Sequence, residues 1–137
     1  MPHRFLPHTA DVKVEIEAAT LDGVLVESVA VVRELVAGES PVEELRSIPV
    51  SIRQPDSAEL VRAFVRLLLD LFNTEAFISR RLEIQHRANG SLTGWLHGER
   101  CDESRHAAQP EVKALTRHEF AVHETPGSCR VELLFDV

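Results

Sequence analysis

The chain has 137 residues, of which 44% are hydrophobic and 27% charged, and its formal net charge is −7. This length and composition predict a single globular domain over residues 1–137 and exclude a disordered chain. The acidic balance argues against a protein that binds nucleic acid tightly by itself, because such proteins usually present a basic face.

The first quarter of the chain predicts a strand followed by a helix. Apolar and polar residues alternate over Val12–Ala18, which is the period of a half-buried strand. Thr20 is a suitable N-cap for a helix over residues 21–36, and Gly38 follows as a stop signal. We therefore expect a strand packed against a helix in this region.

A second strand and helix follow. Residues 48–53 form a short β-rich segment that Pro55 ends, and Asp56 with Glu59 three residues later is an N-terminal capping signal. The apolar residues of 60–72 recur at helical spacing, which predicts an amphipathic helix. This apolar stretch is interrupted by charges and is too short to span a bilayer, which needs about 20 apolar residues.

The second half of the chain is predicted to be mainly strands. They cover residues 82–88, 92–96, 113–124 and 129–137. Asn89-Gly90 predicts a two-residue hairpin turn, and residues 98–110 read as a polar loop. The order β–α–β–α–β–β–β–β predicts an α+β fold, a two-layer sandwich of a mostly antiparallel sheet with two main helices on one face.

Three single residues complete the reading of the chain. Trp95 faces away from Leu96 and is interpreted as a half-buried packing residue, although an exposed Trp would suit a partner. Cys101 and Cys129 are too few for a Cys-rich zinc site and are expected to be reduced thiols. The sequence shows no apolar signal-peptide core, so a cytoplasmic location is expected.

Residues that can carry chemistry fall in four places. They are His8-Thr9-Ala10-Asp11, then Gly98-Glu99-x-x-Asp102-x-x-x-His106, then Glu111-Val112-Lys113-Ala114-x-Thr116-x-His118, and the closing Asp136-Val137. In this order and at this spacing they resemble the four signatures of the archease family, and the resemblance covers the whole chain. Arg117 stands where family members usually carry Tyr.

The resemblance implies a non-catalytic role. Archeases are accessory factors of the RtcB-type RNA ligase, which joins RNA ends in tRNA splicing and RNA repair. They promote guanylylation of the ligase's active-site histidine and allow repeated turnover. The resemblance also implies a divalent cation, calcium in this family with Mg²⁺ or Mn²⁺ as alternatives, held by carboxylates that map to Asp11, Asp136 and the terminal residue Val137.

The residues themselves support that metal site less strongly. Asp136 and the α-carboxylate of Val137 adjoin in sequence, and hard cations such as Ca²⁺ take roughly six to eight oxygens. Asp11 joins them only if the first and last predicted strands are neighbours. Without that pairing, Asp11 is a turn cap and Asp136 a solvated residue.

The remaining candidates each have two interpretations. Lys113 either reaches a phosphate or carboxylate of the ligase or makes an ordinary surface ion pair. Glu99 and Asp102 either form a second acidic cluster or belong to a solvated loop. We expect His8 to hydrogen-bond the turn at Asp11, and His106 to order its loop.

Two other classes of function remain open at this point. A stand-alone metal-dependent hydrolase would use His8, Asp11, Asp102 and His106, but the chain carries no recognised nucleophile elbow, P-loop or zincin motif. A chaperone-like interaction module would bind unfolded clients without depending on Asp11. No membrane partner is expected for any of these readings.

Overall fold

The computed structural model describes residues 2–6, 11–106, 114–116 and 120–136. Within these residues the elements, in chain order, are β1 (His3–Leu6), β2 (Val12–Ala18), α1 (Leu21–Ala37), β3 (Arg46–Arg53), α2 (Ser57–Glu75), β4 (Phe77–Ala88), β5 (Ser91–Arg100), β6 (Ala114–Leu115), β7 (Ala121–Thr125) and β8 (Ser128–Asp136). The predicted α+β class with two main helices is confirmed.

The strands form two antiparallel sheets. The larger sheet has five strands in the order β1–β2–β8–β6, with β7 also paired to β8, and the smaller has three in the order β3–β5–β4. In the small sheet β5 has β3 on one side and β4 on the other, so both of its hydrogen-bonding edges are used. The alternation of apolar and polar residues predicts where strands lie but not which strands pair with each other. The division into two sheets is therefore seen only in the structure.

Both helix starts are confirmed as predicted. The side chain of Thr20 accepts a hydrogen bond from the backbone N–H of Gly23 at 3.1 Å, and that of Asp56 accepts one from Glu59 at 2.8 Å. Each cap satisfies a backbone donor that the first turn of a helix leaves without a partner. Gly38, with φ of 60°, ends α1 close to the predicted residue.

One hydrophobic core joins the two sheets. The helices pack against each other, and each of them also contacts strands of both sheets. Phe64 on α2, Phe77 on β4 and Phe135 on β8 are all 0% exposed and belong to a single hydrophobic cluster. Truncating such a side chain to Ala typically costs about 3–5 kcal/mol, so this shared core dominates the stability of the fold.

The structure corrects several predicted strands, and β3 begins at Arg46 instead of 48 and β4 at Phe77 instead of 82. β1 was not predicted, because four residues are too few to establish a period. The strand predicted over 113–124 is divided, since among its described residues only 114–115 and 121–124 are extended and paired. β5 continues through Arg100, so Glu99 lies on a strand and not in the predicted polar loop.

The first strand is fastened to α1 through a histidine. The Nδ1 atom of His3 bonds the Glu27 carboxylate, and its Nε2 atom bonds that of Glu34 at 2.9 Å. Burial lowers the pKa of His3, but the hydrogen bonds to the two carboxylates outweigh it and leave the pKa above its ordinary value. The two hydrogen bonds of this ring therefore fix β1 to the helix.

The predicted hairpin turn is present, and it also anchors the end of β3. Ala88 pairs with Ser91 across the turn, and Asn89 has φ of 51°. The backbone N–H of Gln54 donates to the carbonyl of Gly90 at 2.8 Å. A Cβ at Gly90 would lie 2.0 Å from the Gln54 carbonyl oxygen, so this contact requires glycine.

Gly98 gives a test of close packing between β4 and β5. A Cβ added there would lie 2.0 Å from the carbonyl oxygen of Ile78. We expect Gly98→Ala to lower the free energy of unfolding by about 1–3 kcal/mol, because the backbone of β4 must move. Urea unfolding measures this change, with Ser91→Ala on the same strand as the control. Unchanged stability in Gly98→Ala would contradict the close approach.

Candidate functional site

The start of β2 and the end of β8 lie side by side. Val12 pairs with Phe135, and the register continues as Lys13 with Leu134. Asp11 directly precedes the first of these pairs and Asp136 directly follows it in the other strand. The condition on which the predicted metal site depends, that these two strands are neighbours, is therefore met.

Strand alternation places both carboxylates on the outer face of the large sheet. Phe135 points into the core, whereas Asp136 is exposed and Asp11 is half-buried. Lys13 lies on the same outer face, two residues after Asp11. It was not among the predicted site residues, although the alternation of side chains along a strand puts residues 11 and 13 on one face. Leu134, also on this face, is only 3% exposed, so part of the surface beside the carboxylates is shielded from water.

The donor chemistry of this pair fits a hard cation. The side chains of Asp11 and Asp136 make no ion pair or hydrogen bond with other residues of the described chain. Carboxylate oxygens are the ligands that Ca²⁺ and Mg²⁺ prefer. Two such groups do not complete a site, and no group of three His, Cys, Asp or Glu residues suited to a metal occurs within residues 2–6, 11–106, 114–116 and 120–136.

Four predicted positions lie outside the described residues. They are His8, Lys113, Arg117 and Val137. The terminal carboxylate, the lysine of the third signature and the proposed histidine contact to Asp11 therefore stay predictions.

The middle signature forms a buried polar network. Glu99 is 2% exposed, and its Oε1 atom bonds Arg105. Its Oε2 atom accepts a hydrogen bond from the backbone N–H of Glu43 at 2.6 Å. Glu99 thus ties the loop that follows β5 to the segment that precedes β3, and the interpretation of Glu99 as part of a solvated loop is wrong.

His106 connects the same two segments. Its Nδ1 atom accepts from the backbone N–H of Asp102 at 2.9 Å, so that nitrogen carries no hydrogen. The Nε2–H group then donates to the Pro41 carbonyl at 3.0 Å. The imidazole is fully enclosed and both nitrogens are engaged, which removes His106 as a ready metal ligand or proton shuttle for a hydrolase.

The network holds its acidic groups in the ionised form. The hydrogen bond from Arg105 is the main cause that lowers the pKa of Glu99, and it outweighs burial. The hydroxyl and the backbone N–H of Ser104 lower the pKa of Asp102. Because Arg105 bonds both carboxylates, their arrangement braces the loop and does not leave an open acidic cluster.

Substitution of Glu99 tests this bracing role. We expect Glu99→Gln to cost about 1–3 kcal/mol, because Arg105 and the Glu43 N–H lose a charged acceptor in a buried place. Glu103→Gln is the matched control, since Glu103 is exposed in the same loop. Urea unfolding near neutral pH measures both, and equal stability of the two variants would contradict the role.

The lowered pKa of Glu99 also fixes the direction of a pH effect. Its stabilising contribution is present above the ordinary glutamate pKa of about 4.3 and is lost as pH falls through the lower pKa of the folded state. The difference in unfolding free energy between the parent chain and Glu99→Gln should therefore shrink as the solution is acidified below about pH 4.

The sequence and fold were compared with known proteins. The model of the Archease protein family (MTH1598/TM1083) matches residues 3–137. The protein archease of Aeropyrum pernix is 30% identical over 134 residues, which cover 95% of this chain and 93% of the relative. That of Pyrobaculum neutrophilum is 27% identical over 139 residues, covering 98% and 95%.

Two solved structures share the fold. The solution structure of Methanobacterium thermoautotrophicum protein 1598 has a TM-score of 0.75 at 23% identity and covers 99% of both chains. The crystal structure from Thermotoga maritima, described as an archease and possible chaperone, has a TM-score of 0.69 at 17% identity and covers 96% of this chain and 94% of its own. In the present structure neither helix is long and apolar enough to cross a membrane.

The family model spans nearly all of the sequence, and a relative at 30% identity matches it over 95% of its length. This chain therefore belongs to the archease family.

Proposed function

We propose that this protein is the accessory factor of an RtcB-type RNA ligase, promoting guanylylation of the ligase's active-site histidine and its repeated turnover. Family membership supports the general role. The observation that carries the proposal in this chain is the pairing of β2 with β8, because it brings the outer-face carboxylates of Asp11 and Asp136 to one end of the sheet.

In this proposal Asp11 and Asp136 hold a divalent cation together with the terminal carboxylate of Val137. When bound, the ion supplies positive charge that relieves the repulsion between the carboxylates. Asp136 is positioned by the pairing of β8 with β6, and Asp11 directly precedes Val12, which pairs with Phe135. Lys13, on the same face, adds a positive charge two residues after Asp11.

The charge of the chain supports docking on such a partner. A ligase that handles RNA presents a basic surface to it. This chain, in contrast, has a net charge of −7. Opposite potentials speed encounter and select orientation. An acidic accessory protein is therefore well suited to reach a basic ligase near its nucleotide pocket.

A ligation assay tests the proposal. The protein is added to an RtcB-type ligase with GTP, Mn²⁺ and cleaved RNA in excess over the ligase. We expect product to exceed one turnover per ligase only when the accessory protein is present. Asp11→Asn and Asp136→Asn should each reduce the stimulation roughly tenfold or more, the size of a typical coupling between sites.

The control for that assay is Asp70→Asn. Asp70 is exposed on α2, so the variant loses the same charge without touching the proposed site. Unfolding curves establish that all three variants are folded. Absence of stimulation by the parent protein would refute the proposed function, and full stimulation by both site variants would refute the role of the two carboxylates.

Ion binding is a separate prediction with its own readout. We expect Ca²⁺ to raise the unfolding temperature of the protein alone, since an ion that binds only the folded state at 100 times its Kd adds about 2.7 kcal/mol. A chelator should reverse the shift. Asp136→Asn should lose it while Asp70→Asn keeps it. Calorimetric titration without heat of binding, together with an unchanged unfolding temperature, would contradict the site.

A further inference from the structure

The small sheet has one packed face and one open face. Val50, Leu92 and Leu96 point to the helices and are 3%, 0% and 0% exposed. The alternate residues point the other way, and most of them are exposed. The outer face comprises Ser47, Pro49, Ser51 and Arg53 on β3, Ser91, Thr93, Trp95 and His97 on β5, and Arg81, Glu83, His86 and Ala88 on β4.

Trp95 stands at the centre of this open face. It lies on the middle strand, opposite Pro49 on one side and Glu83 on the other, and it is 37% exposed. Trp95 therefore packs with only part of its surface, as the half-buried packing residue that the sequence predicts, and the rest is exposed to solvent. Small neighbours such as Pro49 and Thr93 leave the indole accessible from solvent, so it offers a flat surface for a planar ligand.

The acidic side chains of this face are engaged by its own cations or hydrogen-bond donors. The Oε1 atom of Glu83 lies 2.8 Å from Nε2 of His97, whose Nδ1 lies 2.7 Å from the hydroxyl of Ser47. Glu99, farther along β5, is bonded by Arg105 as described above. Glu83 is thus directed towards His97 by their hydrogen bond, although its side chain is 50% exposed and keeps its charge near Trp95.

Two basic side chains of the same face have no such partners. Arg53 and His86 make no ion pair or side-chain hydrogen bond within the described part of the chain. Both line a recess of about 580 Å³ with Ser51 and Thr93, and Thr93 is two residues from Trp95. Arg53 also lines a second recess of about 460 Å³ on the other side of β3, with Arg66 and Asp70 of α2. Arg53 thus provides a positive charge on the same face as the exposed ring, four residues along β3 from Pro49, which is opposite Trp95.

We propose that the outer face of the small sheet binds single-stranded RNA. A base stacks on Trp95, and phosphates lie towards Arg53 and His86. Pro49, opposite Trp95, and Arg53 are four residues apart on β3, which is about 13 Å along the strand and spans a few nucleotides. The hydroxyls of Ser51 and Thr93 lie between them and suit sugar or phosphate oxygens.

The face fits this ligand better than a peptide or a duplex. An added peptide strand would pair with the free edge of β3, but Pro49 in that strand has no N–H to donate. An acidic peptide would use the cations without needing an accessible ring. In a duplex the bases are already stacked on each other, so an exposed aromatic side chain favours unpaired bases. The net charge of −7 keeps the binding weak, in line with the expectation from the sequence.

Trp95 supplies its own assay. It is the only Trp in a chain without Tyr, so intrinsic fluorescence reports this face alone. Titration with a single-stranded octa-adenylate at low salt should quench the fluorescence to saturation, and added salt should weaken the binding. A blunt-ended RNA duplex of equal charge and inorganic polyphosphate should give much weaker effects, because neither offers unpaired bases.

Variants identify the residues involved. Trp95→Leu, followed by anisotropy of a labelled octa-adenylate, should bind roughly tenfold more weakly, which is typical for loss of one stacked base. Arg53→Gln should weaken binding severalfold and reduce its salt dependence by about one phosphate contact. Arg130→Gln, an exposed arginine on β8 of the large sheet, is the matched control and should bind like the parent.

Several results would overturn the proposal. Equal quenching by polyphosphate or by the duplex would show attraction by charge without stacking. Failure of octa-adenylate to quench Trp95 would refute RNA binding at this face. The RNA titrations need neither ligase nor metal, and Asp11→Asn should retain RNA binding. Failure here is therefore distinguishable from failure of the proposed function.

Discussion

The antiparallel pairing of β2 with β8 is the constraint on which the candidate site depends. Val14 pairs with Leu133 and Ile16 with Val131, and all four side chains are 0% exposed. A slip of one residue would turn these side chains out of the core, so burial specifies the register strongly. The same register sets Asp11 beside Asp136. The free energy of core packing thus positions two like charges that would otherwise repel.

The chain treats its acidic groups in two different ways. Glu99 and Glu44 are bonded by arginines, and those hydrogen bonds lower the pKa of each carboxyl. Asp11 and Asp136 have no comparable partner among the described residues. A carboxylate pair held in register by buried strands and left without an internal cation is a suitable place for an external one. This contrast separates the candidate site from the bracing network more clearly than the sequence signatures do.

Local chemistry explains which features were predictable from sequence. The starts of both helices follow from Thr20 and Asp56, because a cap needs only residues within one turn. The Asn89-Gly90 turn is similarly local. The burial of Glu99 was not predictable, since its partners include a backbone group 56 residues earlier in the chain. The pairing of β2 with β8, which brings Asp11 near Asp136, was also not predictable. The sequence shows only that apolar and polar residues alternate in each segment, and tertiary packing decides which strands are neighbours.

The two sheets use their inner faces for one shared core and leave their outer faces different in charge. The outer face of the large sheet ends in two carboxylates without an internal partner, whereas that of the small sheet carries Arg53 and His86 beside Trp95. In a chain of net charge −7, such a local excess of positive charge is unexpected from composition. These two outer faces are proposed to bind different ligands, a cation at Asp11 and Asp136 and unpaired bases at Trp95. Neither face carries one sign alone, since Lys13 lies on the outer face of the large sheet and Glu83 on that of the small sheet, and the shared core holds both surfaces in a single fold.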